Sequence, residues 1–399
     1  MEMVYRMMLT EDQAKGLTIA LDKYKNHEKY VVISGFAGTG KSTLVRFIVE
    51  ALDVDEKKVA YACFTGKAAE VLRKKGNQNA MTLHKLLYDS VPKPGGGFFR
   101  KPKLSLDYSI IIADECSMIP KSMVDLLLRH NVFVIFLGDN FQLPQINKNE
   151  SHNLLDHPDI FLSKVMRQAA ESEIIQLTMK IRNNEDIPYM KGKEVLVIPK
   201  KDLVTGHLVW ADQILCATNA TRHSLNAQTR ELLGYHGDIQ DGERVVIKRN
   251  YWDDYNEDGY SLVNGSTGII QNPFKSFRRL PRFIPNDRRD LPIVIGDFIP
   301  ECGAPFKGIE FDQEFITTEQ PCVDWRVSYL LGKQKQKIGD IQPRQMTYGY
   351  AITCHSAQGS EWPNVLVIEE SFPFDKQEHA RWLYTAATRA EQKLVLVRD

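Results

Sequence analysis

A chain of 399 residues is too long for one ordinary core, so roughly two to four domains are expected. Its 51 basic and 51 acidic residues cancel, which excludes a whole-protein field that attracts nucleic acid; any such site has to be a local groove. Six scattered cysteines (Cys63, Cys116, Cys216, Cys302, Cys322, Cys354) without a C-x-x-C pair argue against a zinc site or disulfide framework and suit a reducing cytosol.

Met1 to Asp12 lacks a long apolar run, and no later segment is long enough to span a membrane, so a soluble cytoplasmic protein with no membrane partner is expected. Tyr30-Val31-Val32-Ile33 reads as a buried strand and Thr43 to Ile48 as a helix. Between them, Gly35 to Ser42 spells G-x-x-x-x-G-K-S. Strand, glycine loop and helix in this order form a phosphate-binding loop, in which backbone N–H groups and a helix N-terminus face a polyphosphate. Gly38, Thr39, Gly40, Lys41, Ser42 and Thr43 are its candidate residues. Lys41 would reach the β- and γ-phosphates of a nucleoside triphosphate and Ser42 would hold Mg²⁺.

Val59 to Phe64, Ser109 to Ala113 and Val132 to Leu137 are further apolar strands alternating with helices, so a parallel sheet covered on both faces is expected. Asp114-Glu115 ends one of them. Asp114 suits Mg²⁺ and Glu115 suits a general base that orients water. Gly138 to Gln145 ends the next, where Gln142 is placed to sense a γ-phosphate. Thr65 and His84 are candidates to contact nucleic-acid phosphates, although a lone His is more often structural. Val91 to Pro102 carries too much Pro and Gly for a core element and reads as an inserted hairpin or protruding loop.

From about Ser151 the pattern changes. Ser172 to Arg182 has helical spacing, and Gln213 to Thr218 reads as a buried strand. From about Gly237 to Gln342, short runs such as Arg244 to Ile247 and Thr267 to Ile270 are separated by turns such as Asn264-Gly265, so a small inserted β-barrel is expected. The α/β pattern returns at Met346 to Ile352, Val365 to Ile368 and Lys393 to Val397. His355 and Ser356 suit close approach to a backbone phosphate. Arg167 and Arg389 are candidates to neutralise transition-state charge, or else surface ion pairs.

Taken in order, Gly35–Thr43, Thr65–Ala69, Thr82–Leu87, Asp114–Met118, Gly138–Gln145, Arg167, Tyr350–Glu361 and Tyr384–Arg389 resemble the motif set of superfamily 1 helicases. The similarity is strongest to the RecD-like branch, superfamily 1B, which has members in T-even bacteriophages. Asn264 to Gly268 resembles the N-G-x-x-G turn of that family's inserted barrel. The resemblance covers nearly the whole chain. It implies two RecA-like P-loop NTPase domains, at 1–150 and at 151–236 with 343–399, and an SH3-like β-barrel inserted at 237–342. It also implies a pin-like insertion at about 88–104, whose part in strand separation rests on exposed Phe98 and Phe99.

The same resemblance implies an ATP- and Mg²⁺-dependent DNA helicase, moving 5′→3′ on single-stranded DNA and opening duplex forks in replication, recombination or repair. Gln13 would read adenine and Glu361 would lie at the nucleotide. A monomeric motor in the cytoplasm is expected, a phage host's if phage-encoded, with single-strand-binding or replisome proteins as partners. An RNA helicase and a non-unwinding DNA-binding accessory subunit are the alternatives. The basic–aromatic stretch from Phe274 to Arg289 suits a nucleic-acid groove or a surface loop.

Overall fold

Strands buried on both faces read as unbroken apolar runs, and the first sheet is built from such strands. The computed structural model describes residues 9–399 except 75, 78, 93–97, 144–151, 153, 302, 335–340 and 372–374. The chain divides into one unit formed by Met1–Ala217 with Thr353–Asp399 and a second formed by Thr218–Ile352. The first strands are β1 (Tyr30–Gly35), β2 (Val59–Cys63), β3 (Ala80–Thr82), β4 (Tyr88–Pro92), β5 (Phe98–Pro102), β6 (Ile110–Ala113), β7 (Phe133–Gly138) and β8 (Ile160–Leu162). Six of them form a parallel sheet in the order β3-β2-β6-β7-β1-β8. β4 and β5 stand apart as an antiparallel hairpin, with Tyr88 opposite Pro102 and Pro92 opposite Phe98. The tip of the pin-like segment, 93–97, lies outside the described residues, as do the side chains of Phe98 and Phe99.

The two-residue period of a strand sends Val32, Ala62, Ile111 and Phe136 to one face of the sheet and Val31, Ile33, Ile112 and Ile135 to the other. The first face packs on Leu83, Leu87, Val124 and Leu127 of the helices Leu83–Leu87 and Lys121–Leu127. The second packs on Leu17 and Ala20 of helix Glu11–Lys25 and on Leu44 and Ile48 of helix Lys41–Leu52. Each fully buried aliphatic side chain stabilises this arrangement by roughly 1.5–3 kcal/mol. The sheet also extends past residue 150. β8 pairs with β1 in parallel, Ile33 opposite Ile160 and Gly35 opposite Leu162. A strand of three residues is too short to show a period in the sequence.

The chain continues through β9 (Met190–Lys191), β10 (Val195–Pro199) and β11 (Gln213–Cys216) into the second unit. There it forms β12 (Arg244–Ile247), β13 (Tyr251–Tyr255), β14 (Ser261–Leu262), β15 (Thr267–Arg279), β16 (Asp290–Pro300), β17 (Phe306–Asp312) and β18 (Met346–Tyr348). After β19 (Ala351–Thr353) it returns for β20 (Trp362–Ile368) and β21 (Ala390–Arg398). Within the first unit the second sheet runs β11-β20-β21-β10-β9, parallel except for β9. Helix Lys376–Ala387 connects β20 to β21 and buries Trp382 through Ala387.

The second unit holds an antiparallel sheet, β17-β16-β15-β12-β18, around Val245, Ile270, Val294, Phe298 and Phe311. Among the described residues this sheet does not close into the expected barrel; its edges meet through a single bridge between Phe311 and Arg344. The hairpin of β15, with 13 residues, and β16, with 11, runs well beyond the short strand read at Thr267 to Ile270. Its far end has a cluster of its own, Leu280, Ile284 and Leu291 against Val327 and Leu331 of helix Trp325–Lys333. No helix among the described residues is long and apolar enough to cross a membrane.

Candidate nucleotide site at the edge of the first sheet

The loop after β1 turns through left-handed glycines, Gly38 at φ 74° and Gly40 at φ 78°. A side chain at Gly40 would meet Gln13 Nε2 at 2.5 Å, so only glycine brings the backbone this close. Gly40 caps helix Lys41–Leu52 without a side-chain hydrogen bond, and the first turn holds no acidic residue. The first N–H groups of a helix have no intrahelical partner, so this end attracts an anion. Thr39 is buried, with its hydroxyl donating to Phe36 O (2.8 Å). Lys41 Nζ donates to Gly35 O (2.6 Å) and Phe36 O (3.1 Å), which folds the ammonium over the loop. Ser42 at the helix start is exposed and Thr43 half-buried.

Gln13 is the residue expected at an adenine, and its amide is bonded to the phosphate loop. It is fully buried and its Nε2 donates to Thr39 O and Gly40 O, both at 3.3 Å. Its Oε1 accepts from Thr10 N–H (3.0 Å) in the capping box that starts helix Glu11–Lys25. Gln13 thus ties that helix to the phosphate loop. Met166 N–H donates to Gly38 O (2.8 Å), which fixes the chain just before Arg167. Arg167 begins the short helix Arg167–Ala170, and its side chain lies outside the described residues.

Asp114 and Glu115 follow β6 and face the same edge. Glu115 takes a left-handed conformation (φ 51°, ψ 47°), uncommon for a non-glycine residue, with its N–H donating to Asp114 Oδ1 (2.8 Å). Burial pushes its carboxyl up to about 7, opposed by the charges of Arg389 and Lys41 and reinforced by those of Asp114 and Asp139. Lys41, Asp114, Glu115 and Arg389 therefore share one electrostatic site. Arg389 is only 2% exposed. Its Nε donates to Thr385 O (3.1 Å), Nη1 to Ser360 O (3.1 Å) and Nη2 to Thr388 Oγ1 (3.0 Å), so it is an internal cation and not a surface ion pair. Glu361 is half-buried one residue after Ser360.

These residues fit a nucleoside triphosphate with Mg²⁺. The loop offers backbone N–H groups and an ammonium, and a bound cation would have the Ser42 hydroxyl and the Asp114 carboxylate as candidates. Among the described residues no group of three or more His, Cys, Asp or Glu forms a metal cage, and Mg²⁺ typically relies on water and phosphate oxygens instead.

Sequence patterns missed the residues that knit this edge together. Gln142 lies in a segment held by the second sheet's elements. Asp139 Oδ2 accepts from the Tyr384 hydroxyl (2.6 Å), which itself accepts from Ala37 N–H in the phosphate loop (2.9 Å). Thr385 Oγ1 accepts from Leu143 N–H (3.0 Å), and Gln358 Nε2 donates to Leu143 O (2.6 Å). The Arg182 guanidinium lies 3.8 Å over the Phe36 ring. The available signal was motif membership: Ala37, Asp139, Leu143, Gln358, Tyr384 and Thr385 all lie within the ordered motifs.

The candidate nucleic-acid residues split into groups. Thr65 and the loop after β19 meet, since a side chain on Gly359 would stand 3.1 Å from Thr65 Oγ1. His355 is half-buried there, its imidazole basicity lowered by burial, and Ser356 Oγ shares a hydrogen bond with Thr353 Oγ1 (3.0 Å). His84 stacks on Tyr88 (centroids 6.1 Å apart) and lies 5.8 Å from Phe64. In the stretch from Phe274 to Arg289, most cations are engaged: Lys275 with Asp238, Arg278 with Glu310, Arg279 with Asp290 and Arg288 with Asp324.

Residues 8–194 match the family described as AAA domain, and residues 348–397 match the UvrD-like helicase C-terminal domain. The chain is 26% identical over 419 residues to the ATP-dependent RecD2 DNA helicase of Deinococcus radiodurans, covering 97% of this chain and 49% of that protein. It is 29% identical over 191 residues to the ATP-dependent DNA helicase dda of Enterobacteria phage T4, covering 44% and 43% respectively. The chain spans half the length or less of these curated relatives. A solved structure of Pif1 helicases, described for DNA unwinding at forked dsDNA, shares the fold at a TM-score of 0.53 and 19% identity, over 97% of this chain and 92% of that one. The chain is a homologue of the RecD2 and Dda helicases and shares the fold of the Pif1 helicases.

Proposed function

We propose that this chain is an ATP-dependent DNA helicase that moves 5′→3′ on single-stranded DNA and opens duplex forks, in replication, recombination or repair. One observation supports this reading above the rest: a phosphate loop, the Asp114-Glu115 pair and the buried Arg389 share one site, although Arg389 comes from the second sheet. In this reading Lys41 binds the β- and γ-phosphates of ATP. Glu115, as its carboxylate, orients the attacking water. Arg389 and Arg167 stabilise charge that develops during transfer, and Gln142 reports the γ-phosphate. Mg²⁺ held by Ser42 and Asp114 would neutralise phosphate charge.

The two parallel sheets then act as two RecA-like domains, with the antiparallel unit as an open variant of an SH3-like insertion. Thr65, His84, His355 and Ser356 grip the strand and release it in turn. The hairpin of β4 and β5 is the wedge at the fork, with Phe98 and Phe99 replacing lost base stacking. Base–aromatic stacking of roughly 1–3 kcal/mol per base is comparable to a DNA stacking step of about 1.4 kcal/mol.

The deciding experiment measures ATP hydrolysis with and without single-stranded DNA or RNA, then unwinding of duplexes with 5′ or 3′ tails. DNA-stimulated hydrolysis and opening of 5′-tailed duplexes are expected. Stimulation by RNA alone favours an RNA motor, and hydrolysis with no unwinding of any tailed duplex favours the accessory-subunit reading. Phe98→Ala with Phe99→Ala is expected to cut unwinding while DNA-stimulated hydrolysis persists. A pair variant that melts normally and unwinds at the parental rate removes the wedge.

A further inference from the structure

We propose that Tyr384 is a positioning residue that couples the phosphate loop to the Asp139–Leu143 segment, so that turnover, and not nucleotide binding, depends on its hydroxyl. The proposal rests on the ATPase reading above. One phenol oxygen serves both sides: it accepts from Ala37 N–H at 2.9 Å and donates to Asp139 Oδ2 at 2.6 Å. The other Asp139 oxygen, Oδ1, accepts from Phe141 N–H (2.9 Å), and Asp139 O accepts from Gln142 N–H (3.3 Å). A displacement of the loop at Ala37 is therefore passed through three consecutive hydrogen bonds into the turn that carries Gln142.

The segment is held at alternate residues. Asp139 is bonded to Tyr384, the Phe141 ring meets the Tyr384 ring edge-on at 5.1 Å, and Leu143 is bonded on both sides of its peptide by Thr385 and Gln358. All of these anchors belong to elements of the second sheet, so Gln142 is placed by that sheet although it is carried by the first. Packing alone does not require this arrangement. Tyr384 is 1% exposed and Asp139 is 2% exposed, and a phenylalanine would fill the same volume without burying a hydroxyl beside a carboxylate. Burial and the Asp139 charge hold the phenol well above its ordinary range, so it stays protonated and remains the donor at every working pH.

The test compares the parental chain with Tyr384→Phe and Asp139→Asn, alone and combined. Three quantities are read: steady-state ATPase kcat and KM with and without an oligothymidylate, equilibrium binding of a fluorescent ATP analogue, and thermal melting. Tyr384→Phe is expected to melt near the parental temperature and to bind the analogue within about twofold, with kcat lowered about tenfold or more. Asp139→Asn is expected to show the same split, and the double variant to lose no more than the worse single variant, because both cut one link. Parental kcat in Tyr384→Phe overturns the proposal, as does a kcat loss matched by an equal loss of nucleotide affinity. If Tyr384→Phe does not fold, Asp139→Asn decides by the same criterion. A parental chain without ATPase activity overturns the proposed function itself, whereas an active parent indifferent to both substitutions overturns the coupling alone.

Discussion

The edge of the first sheet and the antiparallel unit both bury charge, and they treat it in opposite ways. In the second unit Glu243 is fully buried, and Arg230 meets both of its oxygens, Nε to Oε1 at 2.5 Å and Nη2 to Oε2 at 3.1 Å. Gln240 N–H adds a third bond to that carboxylate, and the Arg230 guanidinium stacks 4.0 Å from the Tyr348 ring. Every feature of that pair saturates the charge. At the sheet edge, Glu115 is instead held in a left-handed conformation, with its carboxyl raised to about 7 by burial between opposing cations and carboxylates. A saturated buried pair stabilises one conformation, while a carboxyl raised to about 7 keeps a group poised to change its protonation.

The largest effect that would break this contrast is at Lys41. Lys41→Ala is expected to lower ATP hydrolysis by on the order of 10²–10³-fold or more while single-stranded DNA binding survives. A coupled ATPase assay and a fluorescence titration measure both, and substantial hydrolysis would remove the loop from the site. Glu115→Gln follows, with nucleotide binding retained and turnover lowered by about 10²-fold or more. The same residue predicts a pH profile. A base with its carboxyl at about 7 is protonated and inactive below that value, so kcat/KM of the parental chain should rise with pH through about 7 and level off above it. A flat profile between mildly acidic and mildly alkaline pH would count against Glu115 as the base.

Arg230→Ala sharpens the other side. It leaves Glu243 buried and unpaired, so unfolding by urea should show a loss of roughly 3–5 kcal/mol. Turnover per folded molecule should stay near parental, and a specific loss of kcat would show that the two regions are not so distinct. The smallest effect is expected at Gln13. Gln13→Ala removes half of a capping box and two bonds to the loop, at a cost of about 1 kcal/mol in stability. Nucleotide affinity should weaken severalfold for ATP and GTP alike. A loss confined to adenine nucleotides would assign Gln13 to the base instead.

Much of the first unit was legible because its signals are local. Tyr30 to Ile33, Val59 to Phe64 and Val132 to Leu137 are apolar runs long enough to announce strands, and a glycine loop followed by Lys41-Ser42 has one common use. The second unit was read less well. Its alternating strands gave a barrel, whereas β15 and β16 extend into a long hairpin with a separate cluster around Leu280 and Leu291. Nothing local distinguishes a strand that closes a barrel from one that runs past it, since the difference lies in the partner strand.

The sequence by itself determined the nucleotide loop, the acidic strand end and the order of the motifs, because phosphate binding demands particular residue types at fixed spacing along a few turns of chain. Tertiary structure alone decided which distant groups complete them. Tyr384 meets Asp139 across 245 residues and Ala37 across 347, and Arg389 reaches the field of Glu115 only because the second sheet's last helix is docked against the first sheet's edge. Hydrogen bonds and charge–charge interactions depend on distance in space, and separation along the chain carries no record of it.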